Sequence, residues 1–153
     1  MIAPLLVRLI ETHSEQLTQS LAEKLRKCER LPDLQKIPAD EFQQRVYEIY
    51  HNLGDWLLAK TEADIEQRYT LIGARRAEQG VALSQLLWAI VLTKEHLWEF
   101  LRREGFVDKP VELLQEIELF HMVDQFFERA LFWAAVGYER SKVAGAGRPS
   151  HAA

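Results

Sequence analysis

Few side chains of this 153-residue chain stand where chemistry would place them. The single cysteine, Cys28, cannot close an internal disulfide, and no CxxC pair or Cys/His cluster has zinc-binding spacing. It reads as a small apolar residue on a helix. Glu62, Asp64 and Glu66 read as the acidic first turn of a helix, which the helix dipole favours, rather than as a catalytic set. No glycine-rich phosphate loop, nucleophile elbow or metal-ligand spacing is present. The expectation is a protein that is not an enzyme and needs no metal or cofactor.

Ionisable residues on otherwise apolar helical lines are a different signal, because a charge facing the core is costly unless something pairs with it. Lys94 falls on the line Leu83, Leu87, Ile90, Leu97, Leu101, and Asp124 interrupts the line Leu113, Ile117, Phe120, Phe127, Leu131, Ala134, Tyr138. A cation and an anion thus face inward from consecutive helices, and a buried Lys94 to Asp124 pair is expected. His13 and Arg76 also fall on apolar lines and would extend this polar spot, which is either a structural device or the lining of a ligand-sensing pocket.

These residues need a helical frame. The apolar period is 3.6 throughout, with no strand-like alternation, so the class is all-α, with about five helices in an antiparallel bundle and a globin-like arrangement as the alternative. The first helix runs from about Pro4 to about Cys28, and a loop from Leu31 to Pro38 follows. The second starts near Asp40 and buries Phe42, Val46, Ile49, Tyr50, Leu53 and Leu57. Thr61 with Asp64 forms a capping box for a third helix that stops at Gly80. The fourth spans roughly Ala82 to Glu104 with Gly105 as its stop, and Asp108 and Pro110 open a fifth that reaches about Ser141. Residues 1–141 form one domain, and residues 142–153 a flexible tail.

The fifth helix carries a second apolar line, Leu119, Met122, Phe126, Ala130, Trp133 and Gly137. Either it runs through the middle of the domain or this face packs on another copy; a homodimer through Leu119, Met122, Phe126 and Trp133 is the preferred expectation.

Bulk properties agree with one modest core: 48% hydrophobic and 27% charged residues. With 19 Lys+Arg against 23 Asp+Glu, a net charge of -4 and no basic run, nucleic acid is not an expected partner. The apolar stretch from Ile2 to Ile10 is broken by Arg8, followed by Glu11 and lacks a small-residue cleavage site, so it reads as a helix start rather than a signal peptide. The segment Val81 to Val91 meets Lys94, Glu95 and His96 before it could cross a bilayer core of about 30 Å. A cytoplasmic location without membrane contact is expected.

The central block reads LGDWLLAKTEADIEQRYTLIGARRAEQGVALSQLLWAIVLTKEHLWEFL, and VDQFFERALFWAAVGYER runs from Val123 to Arg140. From Ile10 to Arg140 the chain resembles the N-terminal domain of RsbRD-type co-antagonists, which precedes STAS domains in bacterial stress-response regulators. The most specific run goes from Tyr69 through Ile72-Gly73, Arg75-Arg76 and Gly80 to Leu86, Thr93-Lys94 and Trp98. The resemblance implies a non-enzymatic sensory or regulatory module whose partners are other signalling proteins, kinase- or STAS-type regulators among them. The residues after Arg140 do not make up a STAS domain, as expected of an excised domain or a free-standing relative.

Two rivals remain. Related co-antagonists have globin-like N-terminal domains, so the chain could be a haem sensor, which needs an inward axial histidine. His96 is expected away from its helix's apolar line, His121 only borders one, His13 alone lies well inside, and Arg75-Arg76 stands where a globin sensor would want a histidine. A histidine phosphotransfer bundle is suggested by His51-Asn52-Leu53-Gly54, but the lysine expected after the histidine is absent and the glycine comes one residue early.

Overall fold

The computed structural model describes the backbone over residues 4–103 and 110–146, and side-chain surroundings over residues 6–103 and 117–146. Among the described residues all regular structure is helical: α1 (Pro4–Thr12), α2 (Ser14–Arg26), α3 (Ala39–His51), α4 (Glu62–Glu78), α5 (Leu83–Arg103) and α6 (Pro110–Ala146). A 3-10 turn, Pro32–Lys36, precedes α3, and a π turn, Asp55–Ala59, precedes α4. Glu104, Gly105 and Asp108, expected to stop and start helices, lie outside the described residues, as does the side chain of Leu113.

The first expected helix is two helices, broken at His13. There the backbone N–H is shared between the carbonyls of Leu9 and Ile10, and the ring Nδ1 also reaches the Leu9 carbonyl at 2.9 Å, so the side chain competes with the helical ladder. The Thr61–Asp64 capping box is present in both directions: the Thr61 hydroxyl accepts from the Asp64 N–H, and the Asp64 carboxylate accepts from the Thr61 N–H. Gly80 closes α4 with a positive φ of 78, a conformation that disfavours any side chain with a Cβ. The loop from Leu31 to Pro38 is more than a connector. Asp33 caps α5 from a distance, its carboxylate accepting from the Ala82 N–H at 2.9 Å, while the Asp33 N–H donates to the Gln85 side chain at 2.8 Å.

Packing is led by α4 against α6; α2 lies on α3 and α5, α5 on α6, and α1 on α3. The α4–α6 contact is a backbone contact. A Cβ built on Gly73 would stand 2.8 Å from the Ala134 carbonyl carbon and 2.9 Å from the Tyr138 nitrogen, and one on Gly137 would stand 2.6 Å from the Thr70 Cα. Both glycines are therefore required by proximity rather than by torsion. Trp56, Tyr69, Phe126 and Phe127 continue the seam as an aromatic cluster with ring centroids 5.2 to 6.1 Å apart.

The inward faces of the last two helices differ from the expected lines. On α5 the buried set is Leu86, Ala89, Leu92, Thr93, His96, Leu97, Phe100 and Leu101, turned by roughly a quarter turn from the line through Leu83, Leu87 and Ile90, all three only half-buried. On α6, Ile117 and Phe120 are exposed, and Leu119, Val123, Phe126, Phe127, Ala130, Ala134 and Tyr138 are buried. The buried arc straddles both apolar lines because α4 and α5 hold α6 from two sides. The helix also continues to Ala146, so residues 142–146 of the expected tail are helical, with exposed side chains; residues 147–153 lie outside the described residues.

Candidate functional site

The rotation of α5 and α6 decides the fate of the inward charges. Lys94 Nζ stands 3.3 Å from Asp124 Oδ1, so the two side chains meet, but they keep 27% and 29% of their exposure. They sit at the edge of the α5–α6 contact, not in the core. The buried pair expected from the apolar lines is thus a half-exposed one, since each line's true centre lies to one side of it. Asp124 Oδ1 is sealed from solvent and makes no well-aligned hydrogen bond, so the ammonium near it is its compensation.

His13 and Arg76 do not join that pair. His13 is half-buried at the α1–α2 break, its ring 5.5 Å from Phe100. Arg76 belongs to another polar group altogether. Its side chain is 4% exposed, and Nη1 donates to Gln79 at 2.8 Å and to Glu41 at 3.4 Å. Burial lowers the Arg76 pKa from its ordinary value, against the opposing charge of Glu41. Burial pushes Glu41 up, but bonds from Arg75 and Gln79 and the charge of Arg76 outweigh it and hold the carboxyl below its usual range.

The residues expected to form a dimer face are mostly inside the chain. Leu119 and Phe126 are buried, and Met122 and Trp133 are half-buried, Trp133 donating its indole N–H to Glu62 at 3.2 Å. Leu119 and Phe126 therefore serve α6's own packing, the first of the two roles open for this line. Among the described residues, the large apolar side chains that α6 leaves exposed are Ile117, Phe120, Phe132 and Val143.

The histidines are dispersed. His51 is exposed, stacked on Tyr47 with centroids 4.8 Å apart, and His121 is exposed. His96, expected on the polar side of its helix, is buried against α2, with Nε2 2.7 Å from Ser20 Oγ. The Ser20 hydroxyl also donates to the Leu17 carbonyl at 3.2 Å; with its proton so used, the ring Nε2–H is the donor between them. That tautomer leaves Nδ1 a buried acceptor without a hydrogen bond, 3.9 Å from Glu99. Burial first, then the charge of Lys24, lowers the His96 pKa, with Glu99 opposing. Among the described residues no group of three or more His, Cys, Asp or Glu side chains converges as a metal site.

The arrangement most suited to holding a small molecule lies between α3, α4 and α5. An apolar cavity of about 60 Å³ is walled by Val46, Ile49, Tyr69, Leu86 and Ala89 among others. Arg45, Arg68 and Arg76 stand at its edge and also line an adjoining surface groove of about 240 Å³ with Arg75 and Glu41. Glu48 serves both Arg45, at 3.0 Å, and Arg68, at 3.7 Å; Glu41 serves both Arg75 and Arg76. Burial raises the Tyr69 phenol pKa, so this wall of the cavity stays neutral.

Sequence reasoning found Arg76, on its apolar line, but missed the company it keeps, because Glu41 and Arg45 lie on the exposed-looking turns of α3. It missed His96 because the buried face of α5 lies a quarter turn from that helix's most apolar line. No helix of the described residues is long and apolar enough to cross a membrane. No curated protein and no solved structure matches the chain significantly. Residues 11–150, nearly the whole chain, match the family described as the RsbT co-antagonist protein rsbRD N-terminal domain, and the chain belongs to that family.

Proposed function

We infer that the chain is a non-enzymatic regulatory domain of bacterial stress signalling that works in the cytoplasm through protein contacts. The family match is the observation that carries this reading: the family is described as the N-terminal domain of a co-antagonist, a protein defined by its effect on another protein. The surface supports it. On the side of α6 turned away from its buried arc, Phe132 is 59% exposed and Ile117 57%, and exposed apolar side chains on one helix suit a partner. Its contact is first with a second copy of the chain, and through that pair with kinase- or STAS-type regulators. Light scattering across a concentration series up to tens of micromolar tests the first step. The wild type should run as a dimer and Phe132→Glu as a folded monomer; a wild type that stays monomeric throughout removes self-association from the reading.

A further inference from the structure

We propose that the cavity between α3, α4 and α5 and its arginine mouth form a binding site for a small carboxylate with a short apolar tail, the tail in the cavity and the carboxylate on Arg76 and its neighbours. This goes beyond the reading by protein contact and stands independently of it.

Three observations converge. The cavity walls are aliphatic and aromatic, so its contents are apolar. Its size sets the tail: a cavity of about 60 Å³ is under half of the roughly 150 Å³ that holds benzene, which leaves room for a few carbon atoms. Its mouth is cationic, since four arginines line the cavity and groove against only Glu41 and Glu48.

Arg76 is the anchor. It is almost wholly buried, yet among the described residues its hydrogen bonds all leave through Nη1, so Nε and Nη2 have no protein acceptor. These three of its five N–H donors are not sealed inside the protein but reach water at the mouth, where a carboxylate can take the place of that water. Its planar fork also suits a carboxylate through two parallel hydrogen bonds. The carboxylates already present do not fill that role, because each is shared between two arginines. An anion without a tail would leave the cavity empty, and a neutral tail would leave the remaining donors of Arg76 to water; a molecule carrying both uses both.

The test uses the whole chain and isovalerate as probe, followed by amide chemical shifts in 1H-15N NMR. So small a ligand is expected to bind with a Kd on the order of 1 mM. Shifts should saturate and centre on α3, α4 and the first half of α5. 3-Methylbutanol, with the same tail and no charge, and acetate or inorganic phosphate, with charge and no such tail, should each bind at least tenfold more weakly. Ala89→Val, which fills the cavity, and Arg76→Gln should each weaken isovalerate by tenfold or more. Should Arg76→Gln fail to fold, Arg68→Gln, at a half-exposed position, is expected to weaken binding severalfold while remaining native. Equal binding of the alcohol, or equal binding of phosphate, overturns the proposal, as does the absence of saturable isovalerate shifts or full binding by Ala89→Val.

Discussion

The two sides of α4 are built on opposite principles. Toward α6 it is in backbone contact, Gly73 against Ala134 and Gly137 against Thr70, with aromatic rings filling the rest of the seam. Toward α5 the contact is sparse, and a cavity with a charged mouth lies between them. Beside its buried apolar face, α5 is tied to its other neighbours by polar and ionic contacts: Lys94 with Asp124 on α6, His96 with Ser20 and Glu99 with Lys24 on α2, and the Thr93 carbonyl with the Tyr50 hydroxyl on α3. Close packing of small residues leaves no second arrangement of lower cost, because interiors at native density do not deform smoothly. Of the polar contacts of α5, the partly exposed Lys94–Asp124 and Glu99–Lys24 pairs can be exchanged for water at low cost. The α4–α6 seam is therefore expected to resist change more than the α4–α5 side, which a ligand or partner would shift at lower cost.

The largest effect should come from breaking the rigid side. Gly73→Ala or Gly137→Ala gains about 1 kcal/mol of helix propensity, but the new methyl meets backbone that cannot move independently of its helix. A net destabilisation of about 2 kcal/mol or more is expected by urea unfolding. Gly54→Ala is the control. This glycine has helical torsions, φ -56 and ψ -43, and its added Cβ would meet the Val7 side chain at 3.4 Å and the Glu11 carboxylate at 3.6 and 3.7 Å, side-chain contacts of ordinary length, so the change should be neutral or mildly stabilising. If all three alanines behave alike, the close backbone approach of α4 to α6 is not what requires glycine at positions 73 and 137.

A smaller effect is expected at Lys94 and Asp124. With both side chains more than a quarter exposed, the coupling energy from a Lys94→Met, Asp124→Leu double-mutant cycle should be about 1 kcal/mol or less. A coupling of about 3 kcal/mol would be that of a fully desolvated pair and would mark the α5–α6 edge as dry and rigid.

The smallest effect is a pH dependence at the α2–α5 contact. His96 has a lowered pKa in the fold, so below the ordinary histidine value of 6.5 the unfolded chain binds a proton that the folded chain refuses. Stability should fall as pH drops from 6.5 toward the folded value, and His96→Gln should flatten that part of the profile. Lys24 and Arg103 add to the cost of protonation and Glu99 opposes it. Glu41 and Glu99, both held below the usual carboxylate range, lose their contribution only at lower pH, as acid protonates them. Identical slopes for wild type and His96→Gln between pH 5 and about 6.5 would show that the ring does not oppose protonation in the fold.

Much of the local structure was legible because its causes are local. The helical class, the Thr61–Asp64 cap, the Gly80 stop and the meeting of Lys94 with Asp124 all follow from side chains within a few positions of one another or at helical spacing on consecutive helices. Which side of a helix faces inward is not a local property when apolar residues cover more than one line of it. On α6, Leu119 and Phe127 both lie on apolar lines, and only the positions of α4 and α5 put the two of them inside and Phe120 outside. The same holds for the candidate site. The sequence carried Arg76 on an apolar line, but Glu41, Arg45 and Arg68 reach it from different turns and different helices, and the cavity exists because α4, drawn onto α6 by two glycines, leaves α5 at a distance. Periodicity is set by neighbouring residues in the chain; that spacing between helices is set by the closest packing available elsewhere, and only the tertiary structure decides it.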